Sequence, residues 1–189
     1  MAGGIVVNGV TPLLTRAQDS LVVVMDVQQK LAAVMPNGIR EQLIERVNVL
    51  LTTANTLSVP IVVTEQYPTG LGHTEQALAE QLTAAVPVIE KTVFSAMNAA
   101  DFVAHIEQSE RKQIVLMGME THICILQSAL ELQAAGYQVF VVEDAVSSRS
   151  KANQHNALQR MRHAGVIVTN VESVFLNGWV MRVGLSLKR

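Results

Sequence analysis

The stretch Gln113-Ile-Val-Leu-Met117, followed by Gly118-Met-Glu-Thr-His-Ile-Cys124 and then residues 125–136 (ILQSALELQAAG), joins a short apolar run to a helical segment. An apolar, β-branched run of that length, bounded by glycine, predicts a strand buried on both faces. The helix that follows is predicted to stop at Gly136. Cys124 is the only cysteine in the chain, and it falls on the first turn of that helix. In an open parallel sheet, ligands bind in the crevice outside the carboxyl ends of the strands. A thiol placed there sits near the positive end of a helix dipole, which favours thiolate.

Working outward, the same pattern recurs. Leu21–Met25 predicts a buried strand that ends in Asp26. Ile39, Leu43, Val47, Leu50 and Leu51 recur at helical spacing and predict a helix ending near Leu57. Ile61–Thr64 is a second strand, and Glu65–His73, rich in Pro and Gly, is a loop over the strand ends. Thr74–Ala84 predicts a short helix and Val88–Lys91 a third strand ending in lysine. Asp101 is placed to cap the next helix. After the Cys124 helix, Gln138–Glu143 predicts a fifth strand with Asp144 at its end. A helix from Ser147–Ser150 to Ala164, a sixth strand at Val166–Thr169 and a short helix at Val171–Leu176 complete the order. Strands alternating with helices imply an α/β fold, a three-layer α/β/α sandwich around a parallel sheet of about six strands. Residues 1–189 are expected to form a single domain. Residues 1–19 are expected as an N-terminal arm over it, and the tail, residues 178–189, is expected to pack on the domain or on a partner subunit.

Composition narrows the function classes. The chain has 189 residues, 49% hydrophobic and 16% charged, with a formal net charge of -2. That suits an ordered globular protein. It carries no basic run or aromatic-interleaved basic patch, so nucleic acid is not expected as a partner. No stretch reaches the roughly 18 apolar residues of a membrane span, and no secretory leader is apparent, so no membrane association is expected. One cysteine cannot close an intramolecular disulfide, which points to a reducing compartment. A cytoplasmic location is expected, with no cofactor.

Asp26, Lys91 and Cys124 fall at the carboxyl ends of three different strands. If they converge, the thiol has a proton acceptor in Asp26. Lys91 then holds that carboxylate ionised and favours the thiolate, and backbone N–H groups of the Gly118–Cys124 turn can hold an oxyanion. Individually these residues have plainer explanations. A lone helical cysteine is more often core, a strand-end aspartate often caps a turn, and Lys91 can be solvated. His73, His105, His155 and His163 read as surface, and Asp144 as a helix-start cap. A binding or scaffold module with a silent site is the alternative from a different class. A redox-sensing thiol is a third possibility, and it would need an intermolecular partner.

Four blocks in order carry a family resemblance: Val24-Met-Asp26-Val-Gln28, Lys91-Thr-Val-Phe-Ser95-Ala96, Gly118-Met-Glu-Thr121-His-Ile-Cys124, and Gly136-Tyr-Gln-Val-Phe-Val-Val-Glu-Asp144-Ala145-Val-Ser147-Ser148. The chain resembles the isochorismatase-like hydrolases, the cysteine hydrolase superfamily, from about Ser20 to Phe175. Thr64-Glu-Gln-Tyr-Pro-Thr-Gly-Leu-Gly72 and Ser147-Ser-Arg-Ser150 make it most similar to the isochorismatase domain-containing branch. The resemblance implies a six-stranded parallel sheet and a catalytic triad of Asp26, Lys91 and Cys124. It also implies a cis peptide at Met119–Glu120 that turns the Glu120 N–H, beside that of Cys124, towards an oxyanion, and assembly as a homo-oligomer. The nicotinamidase branch carries an Asp-x-His metal pair where this chain reads Glu65-Gln66-Tyr67, so no catalytic metal is expected. True isochorismatases lack the cysteine that stands here as Cys124, so the family name does not give the reaction. The expected activity is metal-independent hydrolysis of a small amide or related carbonyl compound through a covalent thioester. Gln28, Tyr67, Leu71, Phe94 and His122 are expected in the pocket wall.

Overall fold

The computed structural model describes residues 13–36 and 38–179. Its strands are β1 (Ser20–Met25), β2 (Ile61–Gln66), β3 (Val88–Lys91), β4 (Gln113–Met119), β5 (Gln138–Ser147) and β6 (Ile167–Thr169). They pair in parallel as one six-stranded sheet in the order β3-β2-β1-β4-β5-β6. The helices are α1 (Gln29–Ala32), α2 (Ile39–Thr56), α3 (Pro68–Leu71), α4 (Gln76–Ala79), α5 (Ala100–Gln108), α6 (Leu126–Ala134), α7 (Lys151–His163) and α8 (Val171–Val174).

Alternation along β1 shows how the layers form. Leu21, Val23 and Met25 enter a cluster with Phe102 and Ile106 of α5, Leu132 of α6 and Met161 of α7. Val22 and Val24 point the other way, to Leu43, Val47, Leu50 and Leu51 of α2 and to Trp179. Successive strand side chains face opposite sides, so a run apolar at every position must be covered twice. The fold is thus the α/β/α sandwich expected from the sequence.

The strand order reverses between β1 and β4, which makes their carboxyl ends the topological switch point where crevices open in such sheets. The two strands approach closely there. A Cβ on Gly118 would lie 2.0 Å from the Met25 carbonyl oxygen, and the residue has φ +124°. Only glycine fits that position.

Several local expectations are corrected. β2 runs on through Glu65 and Gln66, and the supposed loop beyond it contains α3. The helix expected over Thr74–Ala84 is a single turn, α4, because Thr74 and Glu75 are tied to the β1 exit. Gln28 bridges Thr74, and the Glu75 N–H donates to the Val27 carbonyl. Asp101 lies inside the first turn of α5, whose N-cap is Ala99. β5 is longer than expected. Its pairing slips between Leu116↔Val141 and Gly118↔Val146, which carries Asp144 into the strand. Asp144 is therefore not the N-cap of a helix: its Oδ1 accepts the Val171 N–H at 2.9 Å, in the first turn of α8, whose N-cap is Asn170. Ser150 caps α7 instead. His105, expected on the surface, is half-buried, and its Nε2 is enclosed without a hydrogen-bond partner. Of the expected arm, Thr15 is buried and its hydroxyl donates to the Val174 carbonyl. In the tail, Trp179 is buried in the domain, with its indole N–H towards Ser20. Residues 1–12 and 180–189 lie outside the described residues, so the rest of the arm and tail is not described.

Candidate active site

Asp26 follows β1 with φ 54°, and its own N–H still bonds the Thr64 carbonyl of β2. Its carboxylate is held from two sides. The Thr64 hydroxyl donates to Oδ1 at 2.7 Å, and Lys91 Nζ donates to Oδ2 at 2.7 Å. Lys91 comes from the edge strand β3 and reaches past β2 to do this. It also donates to Gln66 Oε1 at 2.7 Å and, at 3.3 Å each, to the carbonyls of Val93 and Phe94. The Asp26 and Lys91 side chains are both 0% exposed. A buried ion pair survives only when further hydrogen bonds satisfy its remaining donors and acceptors, and here Thr64, Gln66 and the two carbonyls do so.

The nucleophile candidate arrives from β4. The Met119–Glu120 peptide is cis. Thr121–Ile125 then forms one π-helical turn before α6, and such turns are frequent at functional sites. Glu120 anchors the turn, its carbonyl accepting the N–H groups of Ile123 and Ile125. Cys124 is 5% exposed. The Asp26 carboxyl group and the Glu120 N–H both lie near enough to its sulfur to act on its ionisation. The dipole argument predicted a thiolate, and here the structure differs. Burial foremost, and then the Asp26 charge, push the thiol up to about 12, against the pull of Lys91 and the Glu120 N–H. Burial likewise raises Asp26 above the usual carboxylate range, opposed by Lys91, Thr64 and the Cys124 thiol. The thiol is therefore protonated at rest and faces the Asp26 carboxyl group, an arrangement suited to proton transfer during attack.

The expected pocket-wall residues separate. The Gln28 amide ties β1 to the loop: Nε2 donates to the carbonyls of Gln66 and Gly72, and Oε1 accepts the Gln66 N–H at 2.7 Å. This amide is engaged with backbone. Tyr67 is 55% exposed and Phe94 54% exposed. Tyr67 borders a cleft of about 520 Å³ that also touches Lys91, Val93 and Asp101, while Asp26 and Cys124 do not line it. Leu71 ends α3 and is half-buried. His122 is half-buried, with Nδ1 3.0 Å from the Ser148 hydroxyl. The sequence reading missed Thr64 and Gln66, which hold the ion pair. It also missed Glu65, whose Oε1 accepts both the N–H and hydroxyl of Thr74 and whose Oε2 meets His73 Nδ1 at 2.9 Å. Polar residues closing an otherwise apolar β2 were the available signal. Among the described residues, no group of three or more His, Cys, Asp or Glu side chains is arranged to hold a metal ion, and no helix is long and apolar enough to cross a membrane.

Comparison with known proteins agrees with the resemblance. The isochorismatase domain profile matches residues 20–173. Isochorismatase domain-containing protein 1 of Salmo salar is 45% identical over 127 residues, 67% of this chain and 44% of that protein, so the chain spans less than half the relative's length. The structure of MAR1 ribonuclease from Caenorhabditis elegans is similar at TM-score 0.78 and 37% identity, covering 84% of this chain and 80% of that one. The Escherichia coli ycaC gene product, described as an octameric hydrolase of unknown specificity, is similar at TM-score 0.81 and 26% identity, covering 85% of this chain and 79% of that one.

Proposed function

This chain belongs to the isochorismatase family, and from that premise we propose that it is a cysteine hydrolase cleaving a C–N bond in a small amide or related carbonyl compound. The observation that carries the reading is the buried contact chain Lys91–Asp26–Cys124. Cys124 attacks the carbonyl carbon while its proton passes to the Asp26 carboxylate. The Glu120 N–H, with that of Cys124, receives the developing oxyanion. Collapse expels the amine, which takes the proton back from Asp26 and leaves a thioester. Water then attacks the thioester with Asp26 again as base, releasing the carboxylic acid and the thiol. Lys91 holds Asp26 oriented throughout and favours its ionised form before each proton transfer. No step calls on a metal, in keeping with Glu65-Gln66-Tyr67 where an Asp-x-His pair would stand.

A small-molecule substrate suits a nucleophile this enclosed, and the net charge of -2 speaks against RNA, the substrate class that the name of the worm structure brings to mind. Assembly as a homo-oligomer is part of the proposal, after the octamer described for the bacterial relative. One observation favours the other class of function. A cysteine 5% exposed, with its thiol held at about 12, also fits a silent site in a binding module. The same burial weakens the redox-sensor reading, which needs an accessible thiolate.

The test is a panel of small amides, ureides and esters, with a short RNA as a further arm, assayed on wild type and Cys124→Ala. Acid quenching followed by intact mass spectrometry looks for the thioester. Turnover of an amide with an acyl adduct on Cys124 supports the reading. RNA cleavage that survives in Cys124→Ala, or no turnover with any compound, sinks it.

A further inference from the structure

Ser128 and Glu131 follow Cys124 by about one and two turns of α6. Both are bonded to the turn that leaves β3, residues 92–98. The Ser95 hydroxyl donates to Glu131 Oε2 at 2.6 Å, and the Asn98 side-chain amide donates to the same oxygen at 3.2 Å. The Ala96 N–H donates to the Ser128 hydroxyl at 2.9 Å. That hydroxyl in turn points to the sulfur of Met25, the residue before Asp26. Ser95, Ala96 and Ser128 are buried, whereas Glu131 is exposed. The Ser95–Glu131 bond is the strongest of these, because a short O–H bond to a carboxylate is charge-assisted.

The other end of the turn holds Lys91. An ammonium has three N–H donors. Lys91 gives one to Asp26 Oδ2 and one to Gln66 Oε1, at 2.7 Å each, and the third is shared between the Val93 and Phe94 carbonyls at 3.3 Å each. These shared bonds are the longest, and their acceptors sit on the turn instead of at the exits of β1 and β2. The Phe94 carbonyl belongs to the peptide that enters Ser95, so whatever fixes Ser95 fixes that acceptor. Bonds therefore lead without a break from Glu131 through Ser95, the Phe94 peptide and Lys91 to Asp26.

We propose that Glu131 is a positioning residue: through Ser95 it holds the Val93 and Phe94 carbonyls on Lys91 and so keeps the ammonium seated against Asp26. This rests on the hydrolase reading above and deepens it, since the helix that follows the nucleophile then also governs the base. With the turn released, one N–H of an enclosed ammonium loses its acceptors, and Lys91 is drawn away from Asp26 towards whatever can replace them. Burial raises Asp26 and Lys91 is the chief opposing influence, alongside the Thr64 hydroxyl and the Cys124 thiol. Weakening the Lys91 contact therefore lets Asp26 keep its proton to higher pH.

The experiment follows alkylation of Cys124 by iodoacetamide, read by intact mass spectrometry across the acid and neutral range. The proteins are wild type, Glu131→Ala, Glu131→Gln, Ser95→Ala and the double variant Ser95→Ala, Glu131→Ala. Each single alanine variant is expected to move the midpoint of the acid limb up by about half a pH unit or more, a fraction of the shift that an adjacent opposite charge produces. The double variant is expected to move no further than the larger single shift, because both changes cut the same link. Glu131→Gln, whose amide oxygen still accepts from Ser95, is expected to stay near the wild-type midpoint. A role confined to stability lowers the thermal midpoint, measured alongside, without moving the limb. A limb unmoved in both alanine variants, shifts that add in the double variant, or Glu131→Gln displaced as far as Glu131→Ala each overturns the proposal while leaving the hydrolase reading intact. A wild-type profile with no acid limb removes Asp26 as the base and sinks the hydrolase reading, and this proposal with it.

Discussion

Lys91 Nζ lies 2.7 Å from Asp26 Oδ2, with both side chains fully enclosed, although their strands, β3 and β1, are separated by β2. Breaking a buried pair from one side leaves a bare charge and destabilises by about 3–5 kcal/mol. Lys91→Met is therefore expected to lower urea stability by about that amount. The double variant Asp26→Asn, Lys91→Met is expected to recover part of the loss without recovering activity. A double variant no more stable than Lys91→Met alone would show that the pair does not interact as drawn.

The pH dependence follows from the raised Asp26 and the thiol near 12. A carboxylate is a base only above its own pKa, and here burial moves that point above 3.8. Reactivity of Cys124 towards iodoacetamide is expected to rise through that acid limb and then stay flat to about pH 9, because transfer to Asp26 replaces free thiolate. Asp26→Asn is expected to lose the limb and rise steadily with pH instead. A wild-type profile with a single step near the ordinary thiol range would contradict the buried pair.

Cys124→Ala removes the proposed nucleophile and takes only one sulfur atom from the buried cluster it belongs to. Turnover is expected to fall by about 10³-fold or more, with the thermal midpoint shifted by only a few degrees. Activity within tenfold of wild type would assign the chemistry elsewhere.

How much was legible beforehand depends on whether the signal was periodic. β1 and β4 read clearly because a sheet covered on both faces needs apolar residues at every position, as in Leu21–Met25 and Ile114–Met117. Asp26, Lys91 and Cys124 could be placed at strand ends on that basis, and the switch-point topology explains why strand ends meet. Gln28 was misjudged because a strand-exit polar side chain looks the same in sequence whether it faces a cavity or, as here, the carbonyls of Gln66 and Gly72. The thiol was misjudged because the dipole is a local effect, whereas burial and the charge of Asp26 are set by tertiary packing. The slip in β5 that takes in Asp144 could not be read from the apolar pattern, which continues unbroken from Val139 to Val142.

The loop over the strand ends is held by Glu65 and His73, and its grip depends on pH. Burial pushes Glu65 up, but the Thr74 N–H and hydroxyl and His73 outweigh it, so its pKa falls below 4.5. Glu65 in turn holds His73 above 6.5. A lowered carboxylate stabilises above its unfolded pKa, and a raised histidine below its own. The contribution is thus full between about pH 4.5 and 6.5 and fades on either side. Hydrogen exchange at the Thr74 amide is expected to be slowest in that window relative to the intrinsic rate, and Glu65→Gln is expected to flatten the dependence. An unchanged profile in the variant would show that the pair does not hold the loop.

The last prediction concerns the seam that brings the site together. Gly118 and Gly136 both have positive φ, at +124° and +92°, but a Cβ at Gly118 would meet the Met25 carbonyl oxygen at 2.0 Å, while at Gly136 nothing lies within 4 Å. Gly136→Ala therefore carries only backbone strain and is expected to cost about 1 kcal/mol. Gly118→Ala must also push β1 and β4 apart where Asp26 leaves one strand and the Cys124 turn leaves the other. It is expected to cost more than about 4 kcal/mol, the range reached only through severe mechanisms. In whatever fraction remains folded, Cys124 labelling should lose its acid limb, because the thiol no longer reaches Asp26. Chemical denaturation of the two variants, followed by the labelling profile, checks both parts. Equal stability losses would mean that the close approach of β1 and β4 is not what requires glycine at 118.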